Sequence, residues 1–191
     1  KSWESAEYLK DWGLTSMNAS TAYALGFNGS GVKIGVMDSG VLLNHPEFQD
    51  GRIHVVKTEG TYSKDGMRYP DASVGNGPIN KNEPVKNGKR NFDKTDNGIF
   101  TKGEAFNIDG SWHKYTNDAH GTHVSGTMAA SRDGNEMHGV AFGANLYSAN
   151  TGGNDNMTYG PNQDYGFFLQ GYSALADAGA KVINNSWGSN R

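Results

Sequence analysis

Asp38 ends an apolar run, Val32-Lys33-Ile34-Gly35-Val36-Met37, and is followed by Ser39-Gly40. Much further along, His120 opens His120-Gly121-Thr122-His123-Val124-Ser125-Gly126-Thr127, a block of small residues. An acid at a strand end and a histidine at the start of a helix suit one division of labour. The carboxylate fixes the imidazole tautomer and stabilises the imidazolium, while the ring takes a proton from a nucleophile. A helix N-terminus disfavours a charged imidazole, and a partner carboxylate restores basicity near neutral pH. The third member should be a serine in a Gly-Thr-Ser-like turn later in the chain, and no such turn occurs up to Arg191.

Plainer readings stand beside this one. Asp38 alone can cap a turn, and His120 can open a helix with no reaction to perform. His120 and His123 are spaced i, i+3, which with Asp118 or His138 suggests a zinc site, although no His-Glu-x-x-His motif is present. Glu47, after His45-Pro46, and Asp133, in Ser131-Arg132-Asp133-Gly134-Asn135-Glu136, lie in oxygen-rich loops that could hold calcium. Two solvated polar turns are the competing description.

The elements that must position these residues follow from the hydrophobic pattern. Asn18 to Phe27 has helical spacing, with Asn18 or Ser20 as N-cap. Val32 to Met37 predicts a buried strand, and further strands are expected at Arg52 to Lys57, Asn145 to Asn150 and Lys181 to Ser186. Tyr165, Phe168, Leu169, Tyr172, Leu175 and Ala176 follow a 3.6-residue period that Gly179 ends as a C′ residue. Strands apolar without alternation, separated by helices, predict an α/β fold with a parallel sheet flanked by helices. Functional groups then gather beyond the carboxyl ends of the strands, where Asp38 falls. Residues 58–118 interrupt the pattern with a long polar insertion rich in Asn, Gly, Lys and Asp, expected as a surface excursion with a hairpin around Asn91 to Phe106.

Composition narrows the function classes. With 17 basic and 20 acidic residues, the net charge of −3 offers no electrostatic case for nucleic acid or an anionic membrane. Apolar stretches are too short to span a bilayer. The absence of cysteine excludes a disulfide framework and a thiol nucleophile. Lys1, rather than a methionine, stands first, as at a processed or trimmed end.

Taken together, Gly31 to Gly40 with His45-Pro46-Glu47, His120 to Thr127, Gly139-Val140-Ala141 and Lys181-Val182-Ile183-Asn184-Asn185-Ser186-Trp187-Gly188 resemble the subtilisin-like serine proteases, in the family's order. The resemblance implies that Asp38 is the triad acid, His120 the general base and His123 an inward structural histidine. It also implies that Ser186-Trp187-Gly188 pairs its backbone with the substrate, Trp187 helping to wall a side-chain pocket, with core packing as the plain alternative for that indole. The glycine-rich stretch from Gly152 would offer the opposite edge, so that a peptide binds as an added strand. Asn150-Thr151, Asn154-Asp155 and the Asn-Asn-Ser-Trp-Gly ending are most similar to bacterial autotransporter subtilases. Phe142 stands where most of the family has proline, and the stretch from Asp38 to His120 is longer than in the compact bacterial members.

The expected protein is a secreted or cell-surface serine endopeptidase acting on peptide or protein substrates. Residues 1–191 would form the N-terminal portion of its catalytic domain, incomplete and inactive alone. Such a portion exposes an apolar sheet edge and needs the remaining C-terminal part as a companion chain or segment. The alternative is a catalytically inactive subtilase-fold module that binds peptide or acts as an adhesin.

Overall fold

The computed structural model describes residues 3–63, 65–67, 99–100, 102–103, 105–112, 119–151 and 165–187. In chain order the elements are α1 (Ala6–Lys10), α2 (Trp12–Ser16), α3 (Ala19–Ala24), β1 (Lys33–Asp38), a 3₁₀ turn (Pro46–Phe48), β2 (Ile53–Val55), β3 (Lys57–Thr61), β4 (Gly66–Met67), β5 (Ile99–Phe100), β6 (Ala105–Asp109), α4 (His120–Ala129), β7 (Asn145–Asn150), α5 (Tyr165–Asp177) and β8 (Val182–Asn184).

β2, β7, β1 and β8 form a parallel sheet in that order, as the strand pattern predicts. Successive side chains of β1 enter opposite layers, as a period of two requires. Val36 packs with Val41, Phe48, Ile53, Ala129, Ala130 and Leu146 beneath α4. Met37 packs with Tyr62, Ala149, Phe168 and Leu175 beneath α5. Both faces are therefore covered, which accounts for the unbroken apolar character of β1. Register runs from Lys33↔Asn145 to Asp38↔Asn150, so β1 and β7 end level at the carboxyl edge.

α4 approaches the sheet through Gly121, Ser125 and Ala129, an i, i+4, i+8 face of small residues. The Ser125 hydroxyl is fully buried with no hydrogen-bond partner among the described residues. Burying an unsatisfied hydroxyl costs roughly 1–3 kcal/mol, and alanine fills nearly the same volume with better helix propensity. Ser125→Ala is accordingly expected to raise the unfolding free energy by about 1 kcal/mol. A urea titration showing equal or lower stability would contradict this.

α5 places Phe168, Gly171 and Leu175 inward, whereas Leu169 and Ala176 face outward, so the apolar stripe is narrower than its period suggests. β8 is the outer strand of the sheet, and its Val182 is 64% exposed.

The insertion departs most from expectation. β3 pairs antiparallel with β6, and β4 with β5, so the paired segments are 57–61 with 105–109 and 66–67 with 99–100. That is not a hairpin confined to Asn91–Phe106; residues 91–98 lie outside the described residues. The root of this ribbon belongs to the core. Thr58 is fully buried, and Tyr62 lies in the layer beneath α5. Val56 is the pivot: its N–H donates to the Ser148 carbonyl at 2.9 Å, and its carbonyl accepts from Gly110 N at 2.9 Å.

Two short helices precede the expected one. The Ser5 hydroxyl caps α1, and the Asp11 carboxylate caps α2. Asn18 stands at the start of α3 in the left-handed conformation, and its side chain caps no backbone N–H but accepts the Thr21 hydroxyl at 2.9 Å. These helices dock through Tyr8, Leu14 and Tyr23 on Val140 and Phe142. Phe142 packs edge-on to Tyr23 (centroids 4.9 Å apart) and His138 (5.0 Å). This docking gives the aromatic ring at position 142 its structural purpose.

Arg52 ties the opposite end of the sheet together. Its guanidinium donates to the carbonyls of Ala144 and Ala129, each at 2.9 Å, and to Asp50 at 2.7 Å. The Ala129 contact places a cation at the C-terminus of α4, where the helix dipole favours it.

Candidate active site

Asp38 lies at the level carboxyl ends of β1 and β7 with its carboxylate almost wholly buried, at 1% exposure. Its Oδ1 accepts the Ser39 backbone N–H at 2.7 Å and lies 2.9 Å from Nδ1 of His120. The imidazole is half exposed, at 48%. With Asp38 ionised, Nδ1 carries the proton donated to it, and Nε2, on the far side of the ring, is the basic nitrogen. Asp38 Oδ2 is buried and makes no hydrogen bond among the described residues. The charge is held in place chiefly by Ser39 and His120.

The first turn of α4 is bolted to the loop that follows Asp38. Ala119, at the helix start, supplies no side-chain cap. The Ser39 hydroxyl performs that function from another element, accepting the Gly121 N–H at 2.8 Å. Leu42 N donates to the Thr122 hydroxyl at 3.0 Å. A Cβ on Gly121 would come within 2.5 Å of the Gly40 carbonyl, so only glycine allows the helix this close. Ser39-Gly40 is therefore not the flexible pair that its composition suggests. Ser39 is buried, and Gly40 has φ 94°. Strand-end and helix-start spacing bring Asp38 and His120 to mind, but nothing in the spacing reveals Ser39 as the cap.

Other expected positions fare differently. His123 is exposed on the outer side of α4 rather than inward, because the buried face runs through Gly121, Ser125 and Ala129. His138 is buried beyond the other end of α4, among Tyr8, Tyr23 and Phe142, with Nδ1 2.8 Å from the Gly139 carbonyl. No group of three or more His, Cys, Asp or Glu side chains that could hold a metal occurs among the described residues, and Asp118 lies outside them. Trp187 donates its indole N–H to the Met37 carbonyl at 2.7 Å and packs on Phe168, so its contacts are those of the core alternative. Ser186 is exposed, and its hydroxyl accepts from Asn184 Nδ2 at 2.7 Å. Gly152 and Gly188 lie outside the described residues.

Glu47 and Asp133 do come into one acidic neighbourhood with Glu7 and Glu136. Among the described residues these carboxylates do not converge into a group that could hold a metal ion. The Glu7 carboxylate is taken up by the N–H groups of Asp133 (3.2 Å) and Gly134 (2.9 Å), and Asp133 Oδ1 accepts Asn135 N. Burial, and then the negative charges of Asp133, Glu7 and Glu136, push the Glu47 carboxyl above its ordinary 4.5. A carboxyl with a raised folded value binds more protons folded than unfolded. Its contribution to stability is therefore intact below pH 4.5 and declines as pH rises through the raised value. Glu47→Gln is expected to melt with wild type below pH 4.5 and above wild type at neutral pH in EDTA. A variant that melts lower than wild type only when calcium is added would restore the cation reading.

No helix among the described residues is long and apolar enough to cross a membrane. Comparison with known proteins now adds to this geometry. The extracellular serine protease of Serratia marcescens is 34% identical over 189 residues, covering 98% of this chain and 12% of that protein. Bacillopeptidase F of Bacillus subtilis is 29% identical, covering 93% of this chain and 10% of its own length. Subtilisin BL of Lederbergia lenta is 26% identical, covering 93% of this chain and 45% of its own length. The chain thus spans about an eighth of the Serratia relative. A profile described as the Subtilase family matches residues 29–191, from the turn before β1 onward, so the α1–α3 cap precedes the matched region. By that match the chain belongs to the subtilase family.

Proposed function

We propose that this chain supplies the acid and the base of a serine endopeptidase. Asp38 orients His120, and His120 Nε2 removes the proton from a serine hydroxyl contributed by sequence outside these residues. The serine oxygen then attacks the scissile carbonyl. The imidazolium, stabilised by the Asp38 charge, returns the proton to the leaving amine, and water hydrolyses the acyl-enzyme by the same relay. The observation that carries the reading is the 2.9 Å contact between a buried carboxylate and a half-exposed imidazole at the carboxyl edge of a parallel sheet. Substrate would pair as an added strand with Ser186-Trp187-Gly188 and the segment from Gly152, and the remainder of the catalytic domain would pack beyond β8. Relatives named extracellular proteases favour action outside the cell.

A fluorophosphonate probe on the complete protein tests this. Covalent labelling of one serine, lost together with proteolysis in His120→Ala, is the expected result. An unlabelled protein that still binds peptide would favour the inactive binding module instead.

A further inference from the structure

The strand returning from the insertion is stacked on the loop that holds Asp38. A Cβ on Gly40 would come within 2.5 Å of the Ser111 carbonyl, and a Cβ on Gly121, next to His120, would come as close to the Gly40 carbonyl. Ser111 thus backs Gly40, and Gly40 backs the first turn of α4. Main-chain bonds hold the stack in register: Val41 N donates to the Gly110 carbonyl at 3.1 Å, and Trp112 N donates to the Val41 carbonyl at 2.7 Å. Asn150, buried at the end of β7 and paired in register with Asp38, joins the two parts. Its side-chain amide donates to the Ser111 carbonyl at 3.2 Å and, at a longer 3.5 Å, to the Ser39 carbonyl.

We propose that Asn150 is a positioning residue for the Asp38–His120 pair, and that the root of the insertion is a buttress of the catalytic loop. The amide adds a side-chain tie between two carbonyls that the neighbouring main-chain bonds bring close but do not join. One belongs to the residue whose N–H and hydroxyl grip Asp38 and α4, and the other to the returning strand. Without the amide, Ser39 can drift. Its bonds to Asp38 Oδ1 and Gly121 N then no longer fix the imidazole against the carboxylate. The proposal rests on the hydrolytic reading above, since its kinetic consequence requires that reaction.

The test uses the complete protein with Asn150→Ala and Asn150→Ser, the serine keeping a donor too short to span both carbonyls. Expected for Asn150→Ala is a kcat lower by roughly ten- to a hundredfold on a peptide substrate, with KM within about twofold and a small change in Tm. Asn150→Ser should fall between and carries the test if the alanine variant does not fold. Proton NMR gives an independent reading: a His120 Nδ1 proton held against the Asp38 carboxylate is expected downfield in wild type and should broaden or vanish in the variants. An unchanged kcat would overturn the proposal. So would a loss of kcat that only follows Tm while the downfield proton stays in place. If wild type neither hydrolyses peptides nor takes the fluorophosphonate, the hydrolytic reading fails, and the NMR comparison alone decides whether Asn150 positions the pair.

Discussion

Asp38→Asn is expected to lower kcat for peptide hydrolysis by about 10⁴-fold at neutral pH, with substrate binding little changed. The substitution keeps the shape of the side chain and removes its charge. Asp38 is 1% exposed, so water cannot replace that charge when the imidazolium forms. The amide also brings two donors into a position that now only accepts. Oδ1 takes both the Ser39 N–H and the His120 Nδ1 proton. If the amide nitrogen turns toward His120, it stabilises the tautomer with the proton on Nε2, which cannot take a proton from serine. Steady-state kinetics on the complete protein check this, with thermal melting to show that the variant is folded. A loss smaller than tenfold would remove Asp38 from the role of orienting acid.

The parts of the site legible in the sequence are those that local chemistry marks. Asp38 follows a short apolar run, bounded by glycine turns, whose Val36 and Met37 are fully buried in two different layers, as its length and flanks predict for a central strand. His120 opens a block whose small residues allow a helix to lie close to the loop that follows that strand, as the Gly121 approach to Gly40 shows. What was not legible depends on long-range pairing. Ser39 looks like half of a flexible turn until the Gly121 N–H arrives from far along the chain. Asn150 reads as a polar strand end until Ser111 is placed beside it. An inward His123 is what the family resemblance implies. Only the rotation of α4 shows that the face through Ser125 is the one that turns in. Composition misleads most in the insertion, where polar residues hide a ribbon whose Thr58 and Tyr62 enter the core.

That last disagreement makes Gly110→Ala the sharpest test of how the insertion is built. If residues 58–118 were a solvated surface excursion throughout, an added methyl at position 110 would be nearly neutral, within about 0.5 kcal/mol. Here a Cβ on Gly110 would collide with the Ser148 carbonyl and crowd that of Val56 at 3.2 Å. Both neighbours are backbone, so no side chain can swing aside. Ser148 is fully buried in the middle of β7, its hydroxyl donates to the Gly110 carbonyl at 2.9 Å, and its own carbonyl accepts from Val56 N. Moving either strand breaks those bonds and leaves buried polar groups unpaired. The expected cost exceeds about 3 kcal/mol, from overpacking together with lost hydrogen bonds. Chemical denaturation of the complete protein measures it, with limited proteolysis near Ser111 as a local probe. Any folded Gly110→Ala protein should also lose activity more than its stability alone explains. The displaced strand carries Ser111, and Ser111 stands behind the loop that holds Asp38. A variant as stable as wild type would show that the ribbon root is not packed on β7 at all.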